Sequence, residues 1–459
     1  MTSRRPLSRG PPHDVRSDPL VLAVARPPPR GIRAHPGAAV CRARSSTSEE
    51  RDLAMYEHHS RRLPSGPRLA APSVAIVGGS LVGPAVELCL RRLGIADVVT
   101  YEALPAALSQ SGGVMGLRHD TINLLAALGV DVDAITALSD SAVHAYDLTA
   151  DGPVERGSSL FPGVVTSWDA LHGELRRLCD VRTSHRLTAL DEVDGRWRLR
   201  FANQPDAFAD VVLFADGRHS TGRALLDPTR PLHYNGYIVW RGLAPAPTPF
   251  PRGFERYYDA AHGRLFSRTA PLRQSGLCYW ELSHELPARI YTEIAGAGPT
   301  ERAFILPDRI DDHARAAIRE AARYLPGSFA DLIEQSEVAG IPVNDGAMPT
   351  RAVFPRSSAN SPIAVLLGDA LLPVRLQVGA GLNQGLRQAT ELADALIARD
   401  RVEQLDRWEG NTLGRLARWV EQGRSRAHRT NLGVYQPVRP GRTTAPLGDQ
   451  WSEPEWVTA

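Results

Sequence analysis

Gly78-Gly79-Ser80-Leu81-Val82-Gly83 follows the apolar run Val74 to Val77, and the acidic Glu102 closes the next apolar run. In a strand, turn, helix, strand unit this spacing suits a dinucleotide. Gly78 permits the tight turn and Gly83 lets helix and strand pack closely, while the N–H groups and dipole of the helix start attract a pyrophosphate. Leu81 lies on that same turn, and Glu102 can accept hydrogen bonds from ribose hydroxyls. Ser80 stands where the second Gly of the usual pattern falls, which lengthens the backbone's approach to phosphate but adds a hydroxyl donor. A Gly-rich turn without ligand is the bland alternative, and the flanking strand, helix and terminal acid favour binding.

Two further segments carry polar groups at the ends of apolar runs. "VVLFADGRHSTGR" ends its run in Asp216-Gly217 and enters an Arg-containing loop. "VLLGDALLPVRLQVGAGLNQGLRQA" presents Asp369 after one run, then Gly379-Ala380-Gly381, with Leu382 and Asn383, at the start of a helical pattern. Exposed N–H groups there can hold an anion or a polar ring edge. Each segment alone reads more readily as a plain turn, but their order after the first motif is more specific than any one of them.

That ordered triplet resembles the group A flavoprotein monooxygenases, the family of para-hydroxybenzoate hydroxylase, over roughly residues 74 to 425. The resemblance implies that Gly78, Ser80, Leu81 and Gly83 contact the FAD pyrophosphate and Glu102 the ribose. It further implies that Asp216 and Gly217 lie near the flavin phosphates and the NAD(P)H path, and that Asp369 meets the ribityl chain. Gly379, Gly381, Leu382 and Asn383 would lie by the pyrimidine edge of the isoalloxazine. The chemistry implied is reduction of FAD by NAD(P)H, reaction with O2 to a C4a-hydroperoxide, and hydroxylation of an activated aromatic or heteroaromatic ring. Departures from the family pattern are Leu376 in place of a Pro, Leu372 in place of a His and Ala103 in place of an Arg. Two rivals follow: an oxidase, halogenase or other flavoenzyme on the same scaffold, or an inert flavin-binding protein. Halogenases of this fold use a Lys, and the chain contains none.

For substrate, Tyr237, Trp240 and Arg375 are candidates. On an extended strand Tyr234, Ile238 and Trp240 share one face while Tyr237 and Arg241 share the other, and a sheet covering a flavin needs one aromatic face. Core packing is the alternative for each aromatic, and a salt bridge for Arg375. No residue is assigned as a general base.

The elements that must position these groups form an α/β fold. A Rossmann-type FAD-binding domain occupies 71–228, an antiparallel β-sheet substrate domain is inserted at 229–349, and the chain returns at 350–430 with a long C-terminal helix. Residues 1–70, rich in Arg and Pro, read as a disordered extension with Met55 as an alternative start, and 431–459 as a tail. The first 70 residues hold thirteen Arg against six Asp or Glu, so a formal charge of +2 leaves the remainder mildly acidic. Such a body lacks the footprint of a nucleic-acid binder. No membrane-spanning apolar run is present, and the expected location is the cytoplasm, as a monomer or homodimer. The four Cys are scattered with no metal-ligand spacing.

Overall fold

The computed structural model describes residues 72–432, apart from 106–112, 137–141, 162, 249–252, 260–265, 273–274, 302–303, 356–360 and 430–431. The sequence-based expectations for the Arg/Pro-rich extension and the C-terminal tail lie outside the described residues.

The first layer is a six-stranded sheet in the order Val353–Phe354, Ile363–Leu366, Val211–Phe214, Val74–Val77, Val98–Tyr101, Val181–Arg182. All neighbours run parallel except the edge strand Val353–Phe354, which is antiparallel. The strands at 74–77, 211–214 and 363–366 are buried at every position, as continuous Val, Ile, Leu and Phe runs require when helices cover both faces. From Val74–Val77 the chain moves first to the strand on one side and later to the strand on the other. The carboxyl ends beside that reversal form the crevice in which open α/β sheets bind ligands.

Two helices pack closely at this crevice. A Cβ on Gly385, in the helix Gly381–Ile397, would lie 2.6 Å from the Val82 side chain, so Gly385 permits its helix to approach the helix Val82–Arg92. The 29-residue helix Arg401–Arg429 lies against Gly381–Ile397. Its buried Glu409 accepts from the backbone of Ala352 and Val353, fixing the edge strand.

The second layer is a seven-stranded sheet in the order Ala339–Gly346, Leu232–Pro245, Leu277–Glu285, Phe266–Leu272, Phe254–Asp259, Ala142–Thr149, Gly152–Leu160. Only the pair Phe254–Asp259 with Ala142–Thr149 is parallel. The helices Ala288–Ala295, Asp312–Ala321 and Gly327–Glu334 supply Tyr291, Ile318 and Phe329 to a core shared with Ile238, Trp240 and Trp280 on one face of this sheet.

The sequence reading placed 71–228 wholly with the first layer. The two strands at 142–160 instead extend the second sheet. Val143 and Leu148 are buried there, the strand Gly152–Leu160 is mostly exposed, and Tyr146 stacks on Tyr257 with ring centroids 5.2 Å apart. No described helix is long and apolar enough to cross a membrane.

Candidate functional site

Four strand ends bring the sequence-predicted groups together. Val77 leads into Gly78, Tyr101 into Glu102, Phe214 through Ala215 into Asp216, and Leu366 through Leu367 and Gly368 into Asp369. Because these strands are adjacent in the sheet, residues 291 positions apart in sequence end on one rim.

The turn after the first strand has no room for side chains at three glycines. Gly78 has φ +115°, and a Cβ there would sit 2.4 Å from the Ala215 carbonyl oxygen. At Gly83 a Cβ would be 1.9 Å from the Gly78 oxygen, and at Gly79 it would be 2.6 Å from Val181. Gly79 N–H donates to Glu102 Oε2 at 2.9 Å and Leu104 N–H to Oε1 at 2.9 Å. Glu102 thus holds the turn in shape, and each oxygen keeps a lone pair for a hydroxyl donor. Leu81 is buried at the N-cap of the helix Val82–Arg92, and Ser80 is partly exposed. No side chain caps this helix or the helix Gly381–Ile397, and neither has an acid in its first turn. Both starts therefore keep N–H groups for an anion.

Gly217 and Gly379 behave differently from the turn glycines. Their φ values are +76° and +70°, yet nothing lies within 4 Å of the position a Cβ would take. They border open space, which suits a bound ring or phosphate rather than close packing.

Asp216 is a capping residue. Its Oδ1 accepts from Ser220 Oγ, and its Oδ2 accepts from Thr221 N–H at 2.7 Å and Gly222 N–H at 3.3 Å. Burial pushes its carboxyl upward, opposed by these hydrogen bonds. Its backbone, beside Gly78, is the part nearest the turn. Asp369 is exposed, yet the protein mass around it raises its carboxyl, opposed by Arg218 and Arg223. The pairing of exposure with enclosure marks it as a cleft wall, 3.7 Å from where a Cβ of Gly381 would lie. Asn383 is buried and fully engaged: it accepts from Arg118 N–H and Thr121 Oγ1 and donates to the Gly116 carbonyl at 2.9 Å. It ties the strand Val114–Arg118 to the helix start, while Leu382 is half buried against the core.

The three substrate candidates separate. Tyr237 is buried with Val239 and Val343 on the sheet face opposite Trp240. Trp240 packs under the covering helices with Trp280 and Phe329, its Nε1 donating to His284 Nδ1 at 3.3 Å. That places it in the core, since its alternation on the strand points it away from Arg241. Arg375 is buried, donating from Nε to Asp345 Oδ1 at 2.8 Å and from Nη2 to Asn235 at 3.0 Å. Its charge is thus matched inside the protein, joining the segment before the helix Gly381–Ile397 to the second sheet.

Sequence reasoning missed a polar group on the face that Arg241 shares. A Cβ on Gly113 would lie 3.1 Å from Arg241 Nη1 and 3.0 Å from Tyr279 Oη. Tyr279 donates to buried Glu281 Oε2 at 2.9 Å, and Glu281 also pairs with Arg268. The alternation of "GLCYWELS" carried the signal, because Tyr279 and Glu281 fall on one face. Arg223 was also passed over; it is buried and donates to the carbonyls of Asp369 and Ala370 at 3.1 and 2.9 Å, bracing one strand end against another. Among the described residues no cluster of His, Cys, Asp and Glu could hold a metal ion.

No protein-family model matches the chain. It is 26% identical over 388 residues to 2,6-dihydroxypyridine 3-monooxygenase of Paenarthrobacter nicotinovorans, covering 80% of this chain and 94% of the relative. It is 25% identical over 410 residues to a 3-amino-4-hydroxybenzoate 2-monooxygenase of Streptomyces platensis, covering 84% and 95%. The solved 2,6-dihydroxypyridine-3-hydroxylase from Arthrobacter nicotinovorans superposes with a TM-score of 0.68 at 22% identity, over 83% of this chain and 100% of that one. The relatives are FAD-dependent aromatic monooxygenases, and the shared fold includes the Rossmann-type FAD-binding domain.

Proposed function

We infer that this chain is an FAD-dependent monooxygenase that consumes NAD(P)H and O2 to hydroxylate an activated aromatic or heteroaromatic ring. The observation that carries the reading is the convergence of Gly78 to Gly83, Glu102, Asp216 and Asp369 on adjacent strand ends. Its support is a cradle without room for side chains at Gly78, Gly79 and Gly83, beside open space at Gly217 and Gly379. The residues present fit FAD.

In this reading the uncapped start of Val82–Arg92 holds the pyrophosphate and Glu102 the ribose. Asp369 would face the ribityl chain, and the start of Gly381–Ile397 would lie by the ring edge, where its dipole would favour negative charge on the ring. When bound, FAD accepts hydride from NAD(P)H and activates O2 for attack on an electron-rich ring. Ser80 adds a hydroxyl donor at the phosphate turn, and Leu81 closes the apolar side of that turn. Asp216 fixes the loop that begins at Gly217, and Asn383 fixes the strand Val114–Arg118 against the flavin-edge helix.

The second sheet covers the cleft with Tyr237, Arg241, Tyr279 and Glu281 on the facing side. Tyr279 with Glu281 and Arg268 presents a fixed phenol and carboxylate, which orient a ring by hydrogen bonds while the surrounding sheet excludes water. Arg375 acts through Asp345 and Asn235 as a positioning residue, and Trp240 supports the sheet from behind. Residues 71–141, 161–228 and 350–430 then form the FAD-binding domain, with 142–160 joining 229–349 as the substrate domain. Dependence on NAD(P)H supports a cytoplasmic location.

Purified protein reconstituted with FAD is expected to be yellow and to oxidise NAD(P)H faster when a phenol or hydroxypyridine is added. Protein that stays colourless after reconstitution contradicts the reading. Turnover without NAD(P)H would identify an oxidase instead.

A further inference from the structure

The face of the second sheet opposite Arg241 carries a polar row that the hydroxylation reading leaves unused. Register places Glu255 opposite His144 and Thr269, and Tyr257 opposite Tyr146, on the face that also carries Trp240 and Trp280. Arg256 and Arg268 alternate to the other face, where Arg268 pairs with Glu281. Between the polar row and the start of the helix Gly327–Glu334 lies a cavity of about 490 Å³, a size that suits a small organic molecule.

We propose that this cavity binds an organic ammonium ion bearing an aromatic ring, with Glu255 meeting the ammonium and Tyr146 and Phe329 flanking the ring. Glu255 is half-buried, and its Oε2 accepts from Tyr257 Oη at 2.7 Å and from Thr269 Oγ1 at 2.9 Å. These two donors hold the carboxylate in one orientation and leave its Oε1 for a ligand. Among the described residues no cation pairs with Glu255 and no Arg lines the cavity, and the chain has no Lys. Glu155 also lines it, with Oε1 3.6 Å from His144 Nδ1. With His144 neutral or protonated, two carboxylates leave the lining net negative. A half-buried carboxylate without a counter-ion is costly, and a bound cation relieves that cost.

The cation is not a metal ion, since no group of His, Cys, Asp and Glu among the described residues could hold one. Much of the remaining lining is aromatic or apolar. Tyr146 and Tyr257 stack with their rings at 18°, and Pro326, Phe329 and Leu332 face them from the helix side. Aromatic faces attract an ammonium and pack against a ring. Burial, then the Glu255 charge, pushes the Cys278 thiol up to about 12, so Cys278 adds no anion of its own. One fixed carboxylate beside aromatic walls matches an arylalkylamine.

The test titrates 2-phenylethylamine, cationic at neutral pH, and its neutral isostere 2-phenylethanol into the FAD-loaded protein by calorimetry. The amine is expected to bind about ten-fold or more tightly than the alcohol, the worth of one charge-assisted contact. Glu255→Gln, which keeps an acceptor for Tyr257 and Thr269, should remove that preference. Tyr146→Leu, which keeps the space filled but removes the aromatic face, should weaken the amine by several-fold. The flavin absorbance should not change as the amine binds, because the cavity and the cleft lie on opposite faces of the sheet. Absence of amine binding, or equal affinity for amine and alcohol in the parent protein, would overturn the proposal. So would unchanged affinity in Glu255→Gln, or amine binding that perturbs the flavin, which assigns the amine to the cleft. If Glu255→Gln fails to fold, Tyr146→Leu decides: unaltered amine binding refutes the site. These readouts do not use turnover, so their failure leaves the hydroxylation reading standing.

Discussion

In the proposed site, the carboxyl rim of the six-stranded sheet and the Arg241 face of the seven-stranded sheet would contribute by different means. On the rim, function rests on backbone: close approach at Gly78, Gly79 and Gly83, and uncapped helix starts at Leu81 and Ala380. On the sheet face it rests on side chains held by one another, such as Tyr279 by Glu281 and Arg375 by Asp345. A backbone site tolerates no added atom, whereas a side-chain site tolerates change wherever its charges stay matched.

The sharpest way to break this contrast is Gly83→Val. Its Cβ would meet the Gly78 oxygen at 1.9 Å, so strand and helix must separate. Complete loss of FAD retention, read from the visible spectrum of the purified protein, is expected. A variant that keeps its flavin would show that the rim is more plastic than its contacts indicate.

Next in size is Asp345→Ala, which strands the buried charge of Arg375. Breaking such a pair costs about 3–5 kcal/mol, measurable by denaturant unfolding. A small loss would mean that the Arg375 charge has another outlet and is available to substrate after all.

Trp240→Phe is expected to lower stability by about 1–3 kcal/mol while leaving substrate affinity unchanged, because Trp240 faces the helix-covered core. An altered substrate Kd with normal stability would reverse that assignment.

The smallest effect concerns pH at the rim. Burial, then Arg176, lowers the pKa of His172 below its ordinary value of 6.5, opposed by Glu102 and the Gly79 backbone. A depressed folded-state value means that the unfolded chain binds the proton more readily. The contribution of neutral His172 is therefore fully present above the unfolded value and is lost as pH falls through that value towards the folded one. His172→Gln should show a shallower fall in melting temperature between about pH 7 and pH 5. An identical pH slope in both proteins would show that His172 does not couple to folding.

The same contrast explains what could be read without coordinates. The rim was legible because its residues sit at fixed offsets from apolar runs, so Glu102, Asp216 and Asp369 could be placed at strand ends before their adjacency was known. The second sheet was legible only in part. Alternation correctly separated Tyr237 and Arg241 from Ile238 and Trp240, but period-two patterning does not say which face meets a cofactor. The role of Arg375 depended on Asp345 and Asn235, which lie 30 and 140 positions away. The membership of 142–160 in the second sheet was hidden for a related reason: Ala142–Thr149 pairs with a segment more than 100 residues later, a contact no local period reveals.

The central claim is that the cleft between these regions inserts oxygen into a ring. Its most direct test is turnover under 18O2 with a hydroxylated pyridine or phenol that stimulates NAD(P)H oxidation, followed by mass spectrometry of the product. The account predicts one 18O atom per hydroxylated product, with one NAD(P)H consumed for each. Stimulated NAD(P)H oxidation that yields only hydrogen peroxide, or product whose new oxygen comes from water, would contradict it.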